Sequence, residues 1–168
     1  MYGLIGCYPS INKENKTGGK LKVGIIGCGG IANQKHFPAL KNNADLAEMV
    51  AFCDIIEERA TKAAEEYGVE GAKVYTDYRE LLADPEIDIV HICTPNVSHS
   101  KIAVDAFAAK KNVYCEKPMS HNPEEAQKMV ETSEKTGRIL NIGYQNRYRP
   151  DSLFLKEMCK ADELGEIY

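Results

Sequence analysis

The sequence lacks the features that mark membrane proteins, nucleic-acid-binding proteins and structural zinc sites. It contains no apolar run approaching the roughly 20 residues of a membrane span. Its 25 acidic and 21 basic residues are interspersed and give a net charge of −4, so no basic patch is offered to nucleic acid. The 6 cysteines are widely spread without a C-x-x-C pair, which argues against a zinc knuckle and against a disulfide framework. These absences favour a soluble chain in a reducing cytoplasm.

Internal repeats and low-complexity tracts are also absent, and 168 residues with 43% hydrophobic content suffice for one packed core. Residues 1–20 differ from the rest because Asn12–Lys20 is polar, contains glycine and has no hydrophobic period. We expect a flexible tail there. Leu4–Cys7 superficially resembles a lipoprotein cleavage site, but no basic segment precedes it and its apolar stretch is too short, so no export signal is predicted.

From Leu21 onward, apolar runs of strand length alternate with segments of helical period. The predicted strands are Leu21–Ile26, Met49–Cys53, Lys73–Thr76, Ile87–Cys93, Asn112–Cys115 and Ile139–Gly143. The predicted helices are Ile31–Leu40, Glu57–Tyr67, Tyr78–Ala83, Ser98–Lys110, and a fifth that is capped by Asn122, continues through Pro123 and Glu125, and ends before Gly137. Right-handed crossovers between such units predict an α/β fold, a doubly wound parallel sheet of the Rossmann type with strand order 3-2-1-4-5-6.

The stretch Val23–Ala32 reads V-G-I-I-G-C-G-G-I-A, an apolar strand that leads through a G-x-G-x-x-A turn into a helix. At Gly27 the chain must turn tightly, at Gly29 a side chain would collide with a bound diphosphate, and at Ala32 a small residue lets helix and strand pack closely. The free N–H groups at the helix N-terminus would bind the diphosphate. Any tight strand-to-helix turn favours glycine, so the position of this turn after a predicted strand is what supports a dinucleotide site.

Asp54 follows the second predicted strand and lies 22 positions after Ala32. This spacing is close to that at which dinucleotide folds place a carboxylate against the adenosine ribose. A 2′-phosphate would meet like charge there, and the next two residues, Ile55 and Ile56, supply no cation, so NAD is favoured over NADP. Arg59, one helical turn further on, could reach back to a phosphate, so NADP also remains possible as the cofactor. The alternative is that Asp54 only caps the following helix.

The carboxyl ends of parallel strands meet at one edge of the sheet, where ligands bind. Three later predicted strands end in polar segments that would line the same crevice as the glycine turn. These segments are Thr94–Asn96, Glu116–Pro118 and Tyr144–Arg147.

Four motifs together give the chain its likeness to a known family: G-C-G-G-I-A, C-T-P-N-x-x-H at Cys93–His99, E-K-P at Glu116–Pro118 and G-Y-Q-N-R at Gly143–Arg147. The sequence resembles the Gfo/Idh/MocA oxidoreductases over Leu21–Tyr168, and E-K-P is the most specific of these motifs. The resemblance implies that NAD or NADP is used to oxidise a hydroxyl on a sugar, polyol or related compound, or to reduce the matching carbonyl.

The resemblance also implies residue roles. The diphosphate would contact Gly27, Gly29, Gly30 and Ile31, and the ribose would contact Asp54. Thr94, Pro95 and Asn96 would lie beside the nicotinamide half. His99 and Glu116 would also contact the cofactor. Lys117 would be the catalytic residue and would hydrogen-bond the reacting oxygen. The alternative interpretation is that Lys117 is an ordinary solvated lysine of a loop. We expect a cis peptide bond before Pro118 that aims this lysine.

Other polar residues carry weaker signals. His99 could equally be a hydrogen-bonded structural residue in the first turn of its helix. Tyr144 and Arg147 could contact the substrate or the nicotinamide, or could pack a hinge. His36, His91 and His121 have no ligand spacing to one another, so no metal site is predicted.

Members of this family continue into a second domain built on an open antiparallel sheet, which contains the substrate pocket and an aspartate and histidine catalytic pair. Here residues 21–145 are expected to form the dinucleotide-binding domain. Residues 146–168 would hold a hinge helix, Asp151–Cys159, and the start of a truncated second domain with a first strand from Leu164. An unpaired edge at its end, Glu166–Tyr168, would favour association, including self-association. No partner beyond the small sugar or polyol substrate is expected, neither nucleic acid nor membrane.

Three alternatives remain open at this point. The chain could be an NAD-binding but inactive fragment that senses nucleotides or partners. It could belong to an enzyme of the same family that keeps NAD bound and cleaves a glycosidic bond. A methyltransferase also places glycines after its first strand and an acid after its second, but has no role for E-K-P.

Overall fold

The computed structural model describes residues 19–166, so nearly all of the predicted tail lies outside the described part of the chain. Six parallel strands form one sheet in the order 3-2-1-4-5-6, and the predicted doubly wound α/β fold is confirmed. The strands are β1 (Leu21–Ile26), β2 (Ala47–Cys53), β3 (Lys73–Tyr75), β4 (Ile89–Ile92), β5 (Asn112–Cys115) and β6 (Leu140–Ile142).

Helices connect the strands across both faces of the sheet. The first helical segment widens into a π-type turn at Ala32–His36 and continues as α1 (Phe37–Lys41). The later helices are α2 (Glu57–Tyr67), α3 (Tyr78–Ala83), α4 (His99–Ala108), α5 (Pro123–Thr136) and α6 (Pro150–Lys160), with short 3₁₀ turns at Asn96–Ser98 and Gln145–Tyr148. Within residues 19–166, no helix combines the length and the apolar character that crossing a bilayer requires.

The core consists of two apolar clusters that share the sheet. Val23 and Ile25 of β1 belong to one cluster, with Phe37 and Phe52, while Ile26 belongs to the other. Successive side chains of a strand point to opposite faces. A strand covered by helices on both faces therefore reads as a continuous apolar run, which is the pattern from which β1 was predicted.

Local chemistry explains how the elements begin and end. Asn122 caps α5 by accepting a hydrogen bond from the N–H of Glu125 at 2.8 Å, and Gly137 ends the helix with φ +64. β4 begins two residues later than predicted. Asp88, just before it, donates its backbone N–H to the carbonyl of Lys22 at 2.9 Å and accepts the N–H of Lys22 at its carboxylate, also at 2.9 Å.

The carboxyl-terminal segment differs in part from the prediction. Helix α6 is present and begins at Pro150, one residue before the predicted start. Leu164, however, lies in a turn, and Gly165 has φ +63, a left-handed conformation that a strand does not adopt. The described part of the predicted strand at Leu164–Tyr168 is therefore not a strand, and its last two residues lie outside the described residues.

Candidate functional site

Backbone hydrogen bonds bring the strand ends together at the carboxyl edge of the sheet. The N–H of Gly27 donates to the carbonyl of Cys53 at 2.8 Å, and the N–H of Cys93 donates to the carbonyl of Ile26 at 2.8 Å. The N–H of Glu116 donates to the carbonyl of Ile92 at 3.0 Å. The segments after β1, β2, β4 and β5 thus meet at one edge, where the connections from β1 and β4 diverge and leave the crevice typical of this fold.

The glycines of the first turn serve two different purposes. Gly27 has φ +94, and a Cβ there would lie 2.8 Å from the carbonyl carbon of Cys93, so the fold itself requires glycine. A Cβ on Gly29 would meet nothing within 4 Å, and one on Gly30 only Nε2 of Gln34 at 4.0 Å. The packing of the described chain gives no reason for glycine at these two positions. The space above them fits a group that approaches the backbone closely, as a cofactor diphosphate does.

The carbonyls of this turn are engaged by the helix that follows. The amide of Asn33 donates to the carbonyls of Cys28 at 2.9 Å and of Gly29 at 2.8 Å. The N–H groups in the first turn of a helix have no intrahelical acceptor, so the start of this helix offers donors to an anion. Ile31 is partly exposed beside this turn, whereas Ala32 is buried and allows the close packing that the sequence predicted.

Asp54 lies directly against the glycine turn. It is 8% exposed, and its Oδ2 accepts the backbone N–H of Cys28 at 2.9 Å while Oδ1 accepts that of Ile56 at 2.9 Å. The N-cap of α2 is Ile56, without a side-chain cap hydrogen bond, so Asp54 does not cap that helix as the alternative interpretation held. Its carboxylate instead joins the segment just before α2 to the glycine turn. Each carboxylate oxygen can accept a second hydrogen bond, so lone pairs remain for another donor such as a hydroxyl.

Two exposed isoleucines follow Asp54. Ile55 is 90% exposed, and Ile56 is also exposed. Both line a surface depression whose other lining residues lie along α2: Glu57, Glu58, Thr61, Lys62 and Glu65. Arg59 is exposed on the same helix.

The turn after β4 is built around two hydroxyls. Ser98 Oγ lies 2.8 Å from Oγ1 of Thr94 and 2.7 Å from the carbonyl oxygen of Pro95. Since a hydroxyl has one proton, Thr94 donates to Ser98, which donates to the carbonyl. Pro95 and Asn96 are exposed at the crevice edge.

His99 is placed differently from the predicted cofactor contact. It has 0% exposure; Nδ1 lies 2.8 Å from the carbonyl oxygen of Pro118 and Nε2 lies 2.9 Å from that of Thr94. With both ring nitrogens against backbone carbonyls, its geometry favours the structural alternative. The residue ties the turn after β4 to the turn after β5.

The turn after β5 carries the E-K-P motif. The Lys117–Pro118 peptide bond is cis, which confirms that prediction. Lys117 is exposed, and its backbone N–H donates to Oε2 of Glu116 at 3.2 Å. The segment after β6 also reaches this edge, where Tyr144 and Arg147 are exposed.

Sequence reasoning missed a contact between distant residues. Nε2 of His36 lies 2.9 Å from Oε1 of Glu116, and Nδ1 of His36 lies 3.1 Å from Nδ1 of His91. The available signal was helical spacing, because His36 lies four residues after the buried Ala32 and so shares its inward face. Over residues 19–166, no group of three or more His, Cys, Asp or Glu side chains is arranged to hold a metal ion.

Burial makes four cysteines near the crevice unreactive. Cys28, Cys53, Cys93 and Cys115 are buried and free. Burial is the main reason that the pKa values of Cys28, Cys53 and Cys115 rise to about 12, and that of Cys93 is raised as well. These thiols stay protonated at neutral pH and act as small apolar residues, not as nucleophiles.

Known proteins share this architecture. Residues 21–144 match the Gfo/Idh/MocA model, described as an oxidoreductase family with an NAD-binding Rossmann fold. The inositol 2-dehydrogenase of Salmonella typhimurium is 37% identical over 147 residues, which are 87% of this chain and 43% of that protein.

Solved structures agree. The WlbA dehydrogenase from Chromobacterium violaceum, in complex with NADH and UDP-GlcNAcA, has a TM-score of 0.85 and 33% identity over 90% of this chain and 43% of its own. A variant of a 3-ketoreductase from Actinomadura kijaniata, in complex with TDP-benzene and NADP, has a TM-score of 0.80 and 27% identity over 89% of this chain and 45% of its own. The chain spans less than half the length of these relatives.

Proposed function

Because the chain belongs to the Gfo/Idh/MocA oxidoreductase family through its NAD-binding Rossmann domain, we propose that it is the nucleotide-binding part of a dehydrogenase acting on a sugar, polyol or related hydroxyl compound. The observation that carries this proposal is the open space over Gly29 and Gly30 beside the carboxylate of Asp54. Relatives named inositol 2-dehydrogenase and a dehydrogenase in complex with UDP-GlcNAcA support the substrate class.

The adenosine and diphosphate of the cofactor are proposed to lie along the start of the first helix. Gly29, Gly30 and Ile31 would present backbone N–H groups to the diphosphate, where the partial positive charge of the helix N-terminus favours an anion. The N–H of Gly27 is engaged by the carbonyl of Cys53 at 2.8 Å, so Gly27, also expected at the diphosphate, would serve the tight turn and not donate to the cofactor. Asp54 would accept hydrogen bonds from the ribose hydroxyls with the lone pairs that Cys28 and Ile56 leave free.

The nicotinamide half is proposed to lie between the turns after β4 and β5. Thr94, Pro95 and Asn96 would border it on one side and Glu116 on the other, with His99 holding the two turns together. When bound, the nicotinamide ring accepts or donates the hydride. Lys117 would hold the reacting oxygen through Nζ and share its proton as the hydride moves, which is a general acid–base role.

We further propose that NAD is preferred over NADP. The carboxylate of Asp54 would repel a 2′-phosphate, and the exposed Ile55 beside it supplies no compensating cation. Calorimetry should show NAD binding tighter than NADP by about tenfold or more. Ile55→Arg should narrow that difference, since an arginine there can pair with the 2′-phosphate.

The dinucleotide-binding domain is proposed to end near residue 145, with residues 146–168 beginning a second domain. Every α6 side chain, all within the described part of the chain, is at least partly exposed, and Leu153, Phe154 and Leu155 are among the exposed ones. A helix that exposes three consecutive apolar side chains is what a connection to a further packed unit would provide.

Isothermal calorimetry of the wild-type chain with NAD tests the central proposal. We expect saturable binding, and we expect Asp54→Ala to weaken it. A folded wild-type chain that binds no NAD would refute the cofactor assignment.

A further inference from the structure

Four polar side chains form a cluster at the carboxyl ends of β4 and β5, which we call the histidine–glutamate cluster. Its members are His36, His91, Tyr114 and Glu116. His36 is 6% exposed and the side chain of Glu116 is 12% exposed. Buried polar groups of this kind are costly unless they are mutually satisfied, and neither His36 nor His91 has a part in the proposed cofactor contacts.

In each hydrogen bond between the side chains of the cluster, the proton is donated in the direction of the Glu116 carboxylate. A carboxylate can only accept, so His36 carries the proton between its Nε2 and Oε1 of Glu116, which are 2.9 Å apart. In its neutral form His36 then accepts at Nδ1, and Nδ1–H of His91 donates across 3.1 Å. Burial, together with the neighbouring His36, lowers the pKa of His91 to about 3, so this ring is neutral at ordinary pH and has one N–H to donate.

Packing holds the rings in this arrangement. The His91 ring stacks on that of Tyr114 with a centroid distance of 4.8 Å, and the His36 ring meets Tyr114 edge-on at 5.5 Å. Gly143 packs closely against the Glu116 carboxylate. A Cβ on Gly143 would lie only 3.1 Å from Oε1 of Glu116. The side chain of Glu116 is therefore enclosed by His36 and by the segment after β6.

The carboxylate also reaches the turn that carries the proposed catalytic lysine. Its Oε2 accepts the backbone N–H of Lys117 at 3.2 Å while Oε1 engages His36. His36 belongs to the helical segment that follows the glycine turn, and 80 positions separate it from Glu116. One hydrogen-bonded side chain thus joins the helix proposed for the diphosphate to the turn proposed for the nicotinamide.

We infer that His36 is a positioning residue for the nicotinamide half of the dinucleotide, acting through the carboxylate of Glu116 on the turn at Lys117. The inference rests on the proposed function, because it presumes that NAD lies in the crevice. Without His36, Glu116 would lose its donor at Oε1 and turn toward solvent, and the turn would lose one of its supports.

Calorimetry with NAD and with ADP-ribose, which lacks the nicotinamide, tests the inference on the chain as it is. In the wild type we expect NAD to bind several-fold more tightly than ADP-ribose. His36→Leu removes the donor and should weaken NAD about tenfold, the equivalent of one lost hydrogen bond, while ADP-ribose stays within about twofold. His36→Gln places an amide donor near the same carboxylate and should restore most of the NAD affinity.

The matched control is His121→Leu. His121 is exposed, with Nδ1 3.6 Å from Oε2 of Glu125, and lies outside the histidine–glutamate cluster. This variant should leave both affinities unchanged. Should His36→Leu fail to fold, the imidazole ¹⁵N spectrum of the wild type decides: His36 should show the Nε2–H tautomer and respond to NAD more than to ADP-ribose.

The outcomes separate the two proposals. Equal losses of NAD and ADP-ribose affinity in His36→Leu, no loss of either, or a wild type that binds both ligands equally would each overturn the positioning role. So would a His36 ring that responds alike to the two ligands. A wild type that binds neither ligand would overturn the proposed function itself.

Discussion

The carboxylate of Asp54 accepts the backbone N–H of Cys28 across 2.9 Å, although 26 residues separate them in the sequence. Its other oxygen accepts the N–H of Ile56. One buried side chain therefore fixes the glycine turn against the end of β2. The residue proposed to hold the ribose is also part of the fold.

Replacing Asp54 by asparagine should destabilise the ligand-free chain. An asparagine offers one acceptor oxygen, so one of the N–H groups of Cys28 and Ile56 would face an NH₂ donor instead. We expect the free energy of unfolding to fall by about 1–3 kcal/mol. Urea unfolding measures it, with the exposed Asp45→Asn as a control that should stay within about 0.5 kcal/mol of the wild type. Equal midpoints for the two variants would contradict the role of Asp54 in the fold.

Two glycine variants should separate stability from cofactor binding. Gly27→Ala places a Cβ 2.8 Å from the carbonyl carbon of Cys93 at φ +94, and should cost about 2 kcal/mol or more of stability. Gly29→Val enters open space, so its melting temperature should change little while NAD affinity falls by about tenfold or more. Thermal unfolding and calorimetry of both variants provide the comparison. Retained NAD affinity in folded Gly29→Val would count against the diphosphate site.

Acid should destabilise the fold in part through His91. Burial, and secondarily His36, lowers its pKa from 6.5 to about 3. Between these values the unfolded chain binds a proton that the folded chain does not, so stability is retained above about pH 6.5 and falls by up to about 1.4 kcal/mol per unit as pH decreases toward 3.

His91→Asn tests this pH dependence because it keeps an amide donor toward His36 and does not titrate. The free energy of unfolding, measured between pH 7 and pH 5, should decline less steeply in this variant than in the wild type. His121→Asn, at an exposed position, should leave the slope unchanged. Identical slopes for His91→Asn and the wild type would show that His91 does not contribute.

Lys117 should matter to chemistry far more than to folding, because it is exposed on the turn after β5. The test is a chimera in which residues 21–144 replace the matching segment of the Salmonella inositol 2-dehydrogenase. There Lys117→Met should lower kcat by about 100-fold or more, as loss of a positioned proton donor does, with little change in the KM for NAD. Steady-state kinetics measures both constants, and Lys128→Met on the exposed face of α5 serves as the control. A kcat equal to that of the control would discard the catalytic role.

The elements predicted best are those that depend on local chemistry. The ends of α5 fall where the sequence places them because Asn122 and Gly137 act through a short-range hydrogen bond and a local φ. The boundaries of α2, α3 and β5 also match the prediction. β4 is shorter than predicted at both ends, because the apolar pattern does not mark where regular pairing stops. Asp88, for example, lies outside the strand although it exchanges hydrogen bonds with Lys22 through its backbone N–H and its carboxylate.

The candidate site was predictable only to the level of the strand ends. Parallel strands place their carboxyl ends at one edge, so Gly27, Thr94 and Glu116 could be assigned to one crevice from order alone. The inward orientation of His99 and the contact of His36 with Glu116 depend on side-chain rotamers and on packing between elements far apart in sequence. Such pairings have no local pattern.

The ring of His99 lies between the two turns that would flank the nicotinamide, with its nitrogens 2.8 Å and 2.9 Å from a backbone carbonyl oxygen of each. A neutral imidazole donates to one of these carbonyls at a time, while the buried ring fills the space between the two turns. Loops that bind ligands commonly lose conformational freedom on association, whereas turns packed against a shared buried ring would lose part of that freedom when the chain folds. Selectivity among ligands at this edge would accordingly depend on how well each ligand fits a preformed gap, and not on closure of the loops around the ligand.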